Sequence, residues 1–216
     1  MDFVGIFTNF DSGFIHTCLE LAYRPGHMIR DYISGHRREY VKPVQLVFLL
    51  GTVMLLAHYS LYGSGYESDE VVSQESLEGL NDKMSYFLTT TLTWLWNNHA
   101  ILYLCIVGIL VIPNYFVFRL TEQGKQMNLA EHFYTMVYVA CQLMMLDLVQ
   151  MPFDRFLAHS DDVNFGVPLL LLVYDFHQLC RISYRKSVLL CLLSNLLALG
   201  SSFVIAVILY MIFVGT

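Results

Sequence analysis

The sequence predicts an all-α fold: a polytopic membrane helix bundle of about five transmembrane helices, preceded by N-terminal amphipathic helices at the interface. Three observations predict it. Of the 216 residues, 56% are apolar and 14% charged, against about 25% charged in a typical soluble domain. Long uncharged runs recur, and crossing roughly 30 Å of hydrocarbon takes about 20 such residues. Lys and Arg are distributed unevenly between the connecting segments, as in proteins with a fixed membrane orientation. The formal charge of −6 argues against a nucleic-acid partner, which normally meets a basic excess. High hydrophobicity excludes a disordered chain.

Residues 1–43 precede the first span. The N-terminus lacks the basic region of a signal peptide, and Asp11 interrupts its first apolar stretch, so the first span is expected to act as an uncleaved anchor. Gly13 to Ala22 carries Phe14, Cys18, Leu19, Leu21 and Ala22 at roughly helical spacing, with Asp11 or Ser12 available as a cap. Pro25 suits the first turn of a second helix and Gly35 its stop, with Met28, Ile29, Tyr32 and Ile33 on the apolar side. These helices either cover the inner end of the bundle or meet anionic headgroups.

Five apolar segments follow: residues 44–62, 99–118, 133–151, 165–180 and 188–213. The fourth is short for a span and contains Asp175 and His177. Charge placement decides in its favour. With five crossings and the N-terminus inside, the inner segments hold Arg24, Arg30, Arg37, Arg38, Lys42, Arg119, Lys125, Arg181, Arg185 and Lys186, and the outer ones only Lys83 and Arg155. Removing the fourth crossing moves Arg181, Arg185 and Lys186 outside and erases the bias. The C-terminus is then outside. The outer loop 63–98 opens with Glu67, Asp69, Glu70, Glu75, Glu78 and Asp82, read as a solvated acidic stretch because it lacks a calcium-loop pattern. Its second half places Tyr86, Phe87, Trp94 and Trp96 among threonines, a composition expected on the outer leaflet.

Candidate functional residues fall into three groups. Glu131, His132, Asp175 and His177, followed by Arg181 and Tyr184, are expected at one depth near the inner face. Carboxylate and imidazole there can hold a metal, relay a proton or fix a headgroup, the metal being the least expected of the three. The structural alternative is that Asn128 and Glu131 form a capping box and Asp175 pairs with Arg181 or Arg185. Asp147 and Gln150 form an intramembrane polar pair near the outer end of the third span. Arg24, Arg30, Arg37, Arg38 and Tyr40 form a basic, headgroup-binding set. The five cysteines form no Cys-x-x-Cys pair, and no phosphate loop, nucleophile elbow or His-Glu-x-x-His helix is present. No metal or cofactor is expected.

Thr17, Arg24-Pro25-Gly26, Ile29 to Ile33, Gly35 to Arg38, Tyr40 and Pro43 run directly into the first span, and this pattern resembles the bacterial membrane family named domain of unknown function 3667. Ala130-Glu131-His132 and the stretch from Val173 to Tyr184 are similar to positions such proteins keep polar. His36 stands where Lys is usual, and the zinc-ribbon cysteines that open many relatives are missing. The resemblance implies a bacterial inner membrane and draws attention to the inner face. It implies no reaction. The expected role is a non-enzymatic, lipid-interacting or partner-binding membrane protein, with membrane lipids, a second copy or an envelope protein as partners. A small transporter working as an oligomer and a membrane enzyme acting on a lipid are the alternatives.

Overall fold

The computed structural model describes residues 3–63, 82–154 and 166–214. These residues are all-helical, and we number the helices in chain order. α1 (Phe3–Tyr23) and α2 (Pro25–Ile33) precede α3 (Pro43–Tyr62). α4 (Asp82–Asn97), α5 (His99–Phe118) and α6 (Glu122–Gln126) follow, then α7 (Leu129–Asp154), α8 (Gly166–Cys180) and α9 (Tyr184–Val214). Most of the acidic half of the outer loop, with Glu67, Asp69, Glu70, Glu75 and Glu78, lies outside the described residues.

Helix boundaries have local causes. Pro25 and Pro43 occupy the first turns of α2 and α3, where a missing N–H costs nothing and φ is already helical. Gly63 ends α3 with φ +79°, its N–H donating to the Tyr59 carbonyl at 2.9 Å. The Thr121 hydroxyl accepts from the Gly124 N–H at 3.0 Å and starts α6. That one-turn helix has no apolar periodicity to announce it. Asn128 and Glu131 form the reciprocal capping box of α7: Glu131 N–H donates to Asn128 Oδ1 at 2.9 Å, and Asn128 N–H to Glu131 Oε2 at 2.8 Å. The Glu131 carboxylate is thus occupied in closing its own helix. Asn128→Ala should cost about 1 kcal/mol, read as a fall in the thermal midpoint of the detergent-solubilised protein. An unchanged midpoint would mean that this end of α7 does not limit stability.

Among the described residues, four helices contain segments long and apolar enough to cross a membrane: Pro43–Tyr62, His99–Phe118, Leu129–Phe153 and Tyr184–Val204. α8 has 15 residues, about 22 Å at 1.5 Å per residue, which is less than the hydrocarbon thickness. α7 packs against both α3 and α5, α9 packs against α5 and α8, and α2 lies on α8. Leu189, Leu196, Leu199 and Phe203 of α9 are exposed, the arrangement expected of a surface whose solvent is lipid. One end of the bundle gathers the starts of α3, α7 and α9 with the ends of α5 and α8. There the Tyr138 hydroxyl donates to the Val41 carbonyl at 2.7 Å, Phe118 stacks on Phe176 at 3.7 Å, and the Ser187 hydroxyl donates to the Val173 carbonyl at 2.8 Å. At the other end the Tyr62 hydroxyl donates to the Met151 carbonyl at 3.3 Å.

Candidate membrane-surface site

The end that gathers α8 and α9 also carries α1 and α2, and the residues of the Arg-Pro-Gly stretch do the fastening. Thr17 is fully buried in α1. Its hydroxyl donates to the Gly13 carbonyl at 2.6 Å and accepts from the Val41 N–H at 3.0 Å, tying α1 to the strap before α3. Tyr40 in that strap is buried and stacks on His16 at 5.5 Å. Burial raises its phenol above the ordinary range. Tyr32 of α2 meets Tyr134 and Tyr138 of α7 edge-on, at 6.0 and 5.3 Å.

α2 crosses the C-terminal turn of α8 at very close range. A methyl placed on Gly26 would lie 2.4 Å from Gln178 Cβ and 2.7 Å from both the Asp175 carbonyl oxygen and the Leu179 nitrogen. The Gly26 N–H donates to Gln178 Oε1 at 3.1 Å. One guanidinium nitrogen of Arg30 donates to the carbonyls of both Gln178 and Leu179, the second at 3.0 Å. Those carbonyls end α8, where no intrahelical donor remains and the helix dipole is negative. Arg30 therefore caps a helix nearly 150 residues away in sequence, with Gln178 separated from it by 148 positions. Burial, then the nearby Arg181 charge, lowers its pKa, but a guanidinium starts so high that it stays charged.

The remaining cations of the basic set point outward. Arg37 and Arg38 are exposed, and the Arg37 guanidinium sits 5.7 Å from the Tyr32 ring centre. Arg24 pairs with Glu20 one turn earlier. Lys42, Arg119, Lys125, Arg181, Arg185 and Lys186 at the same end are all exposed. Among the described residues, Arg24–Glu20 is the one ion pair. Tyr40, grouped with these arginines on sequence grounds, has its ring turned into the fold instead of toward a headgroup.

The polar residues expected at the inner face have separate surroundings. His132 and Asp175 are fully buried, not on a wet surface. His132 meets Tyr115 edge-on at 5.4 Å, and neither ring nitrogen has a partner with hydrogen-bond geometry, although the Gly124 backbone lies beside it. Neither oxygen of Asp175 has a partner with hydrogen-bond geometry, although Gln142 of α7 lies beside it. No ion pair joins Asp175 to Arg181 or Arg185 among the described residues. His177 stacks on Tyr184 at 3.7 Å and its Nδ1 contacts the Ile182 carbonyl, closing the α8–α9 turn. Arg181 in that turn adopts φ +51°. Among the described residues no group of three or more His, Cys, Asp or Glu is arranged to hold a metal ion. Near the other end, Asp147 accepts from the Tyr103 hydroxyl and Gln150 is half-buried one turn on. A cavity of about 220 Å³ between α5 and α9 is lined by Ile106, Leu110, Asn195, Ala198 and Ser202 among others, and by none of these candidates.

Residues 11–55 match a family model described as Protein of unknown function (DUF3667). The match spans the second half of α1, α2, the strap and the beginning of α3, which is the segment that clasps the bundle end. No curated protein and no solved structure matches the chain. The partners of this clasp, Gln178, Leu179 and Tyr138, lie outside the matched residues. Nothing in their local pattern marks them, because each acts through a contact distant in sequence.

Proposed function

We propose that this is a non-enzymatic membrane protein of the bacterial inner membrane whose cationic end faces the cytoplasm and binds anionic phospholipid headgroups. In this reading five segments cross, with residues 165–180 as the fourth, and the C-terminus is periplasmic. The observation that carries it is the set of exposed, unpaired cations at one end: Arg37, Arg38, Lys42, Lys125, Arg181, Arg185 and Lys186. Guanidinium groups hold phosphate oxygens through paired hydrogen bonds, and basic residues at an anionic surface gain about 1 kcal/mol each. Two elements bring these groups together. The Arg30–α8 cap seats α2, and the three-residue turn between α8 and α9 presents Arg181 beside it.

The test is Arg37→Glu combined with Arg38→Glu. Neither side chain is buried, so folding should survive. Losing two favourable charges and adding two repulsive ones should weaken retention of phosphatidylglycerol by at least about 2 kcal/mol, or roughly 30-fold, in native mass spectra, leaving phosphatidylcholine retention unaltered. Equal phosphatidylglycerol retention at normal abundance would refute the proposal. A transporter or lipid-acting enzyme draws less support. His132 is packed on Tyr115 and His177 on Tyr184, so the two imidazoles have separate aromatic partners.

A further inference from the structure

The two tryptophans of the chain lie on α4, at the end of the bundle opposite the cationic surface. From Met84 to Phe118 the sequence holds no Asp, Glu, Lys or Arg, so α4 after its first two residues and the spanning α5 form one uncharged stretch, with Asn98 between the helices. At 3.6 residues per turn, Leu88 and Leu95 centre one face of α4. Phe87 and Trp94 lie along one edge of that face, and Leu92 and Trp96 along the other. Tyr86, Thr90, Thr93 and Asn97 occupy the opposite face, and Thr91 falls within the apolar one. Phe87, Leu92, Trp94 and Trp96 are all exposed, Trp94 by 54%. From Met84 to Asn98 no residue of this segment is buried.

Several of its polar side chains fold back on their own helix, whereas the Thr93 hydroxyl oxygen is enclosed without a hydrogen-bond partner among the described residues. The Thr89 hydroxyl donates to the Ser85 carbonyl at 2.8 Å, the Asn97 amide to the Thr93 carbonyl at 3.0 Å, and the Asn98 amide to the Trp94 carbonyl at 2.7 Å. Internal satisfaction of this kind is what a helix needs where water is scarce. In water, the same helix would expose two indoles and a phenylalanine, with Asp82 and Lys83 in its first turn as its only charged residues. Indole rings favour the headgroup level, where an apolar ring and a polar N–H are both accommodated.

We propose that α4 is an interfacial anchor. It lies in the headgroup–acyl boundary of the leaflet opposite the cationic end, apolar face inward, with Trp94 and Trp96 at its edges. The occupant of the exposed aromatic surface is lipid. Asn98, the single residue between α4 and α5, holds this helix at the mouth of the second span. The helix thereby sets the depth of the bundle. This inference does not depend on headgroup binding at the other end.

Because Trp94 and Trp96 are the only tryptophans, the intact protein in vesicles carries its own reporter. Emission should be blue-shifted. Lipids brominated high on the acyl chain should quench it at least about twofold more than lipids brominated near the chain terminus, given burial 5–10 Å into the boundary. Aqueous iodide should have little effect. Trp94→Phe and Trp96→Phe, each leaving one indole, should give the same order. Strong iodide quenching without bromolipid quenching would place α4 in water and overturn the proposal. So would strongest quenching from chain-end bromines, which would mean deep insertion. Quenching by neither agent would mean that protein, such as a second copy, covers the helix, and would equally overturn it.

Discussion

Gly26→Ala is expected to unseat the N-terminal helices. The added methyl meets the Asp175 carbonyl oxygen and the Leu179 nitrogen at 2.7 Å, as well as Gln178 Cβ at 2.4 Å. Two of these three atoms are helix backbone and cannot swing aside as a long side chain could. Overpacking ordinarily costs about 1–3 kcal/mol, and here relief requires α2 to lift from α8. Lifting also breaks the Gly26–Gln178 and Arg30–carbonyl hydrogen bonds and exposes Met28 and Ile29, both fully buried. The loss should therefore lie at the upper end of that range. It should show as a lower thermal midpoint and faster tryptic cleavage at Arg37 and Arg38. Gly108→Ala is the matched control. A methyl there meets nothing within 4 Å, and Ala is the better helix former by up to about 1 kcal/mol. If Gly26→Ala were as stable as Gly108→Ala, the close approach of α2 to α8 would be wrong.

The second large effect is expected for Arg30→Met. Methionine keeps the length and the packing of the stem but donates nothing, leaving the Gln178 and Leu179 carbonyls without their cap. A hydrogen bond from a charged group contributes about 1.5–3 kcal/mol, and the favourable charge at a helix C-terminus adds up to about 1 kcal/mol. Arg30→Lys should recover part of the loss, since one ammonium restores the charge but lacks the planar donor fork. The readout that separates a cap from a headgroup contact is stability in neutral detergent with no anionic lipid. If Arg30→Met melts like the parent there, and loses only phosphatidylglycerol binding, Arg30 belongs to the lipid-facing set instead. For Arg37→Glu with Arg38→Glu the expected pattern is the reverse.

Much of the fold was legible because hydrophobic runs and caps act locally. The second expected span coincides with α5 (His99–Phe118), and the others differ from α3, α7, α8 and α9 by a few residues at their ends. Pro25, Pro43 and the Asn128–Glu131 pair act within one turn, so their roles could be read from spacing alone. α1 begins ten residues earlier than Gly13, where capping by Asp11 or Ser12 was expected, because no proline stands between Phe3 and Gly13 and the single Gly5 costs only about 1 kcal/mol. The candidate site was less legible. Arg30 and Arg37 look alike in sequence, yet one closes a distant helix and the other faces outward. Only the position of α8 separates them. Likewise Asp175 and His177 are two residues apart, but their side chains leave α8 in different directions, one toward Gln142 and the other toward Tyr184.

The contact between Gly26 and Gln178 bridges 152 positions, and that span orders events during biosynthesis. A ribosome delivers the N-terminal helices first, but the surface on which they rest does not exist until the chain has been made beyond Cys180. Through that interval α2 lacks the α8 side of its seat, and its apolar face is met only by α1 and, once α7 is made, by Tyr134 and Tyr138, so the uncovered part must shelter against lipid or an insertion factor. Docking of the earliest-made part onto one of the latest is then the closing step of assembly, and a chain stalled before α8 would hold its beginning through Thr17, Val41 and α7 alone.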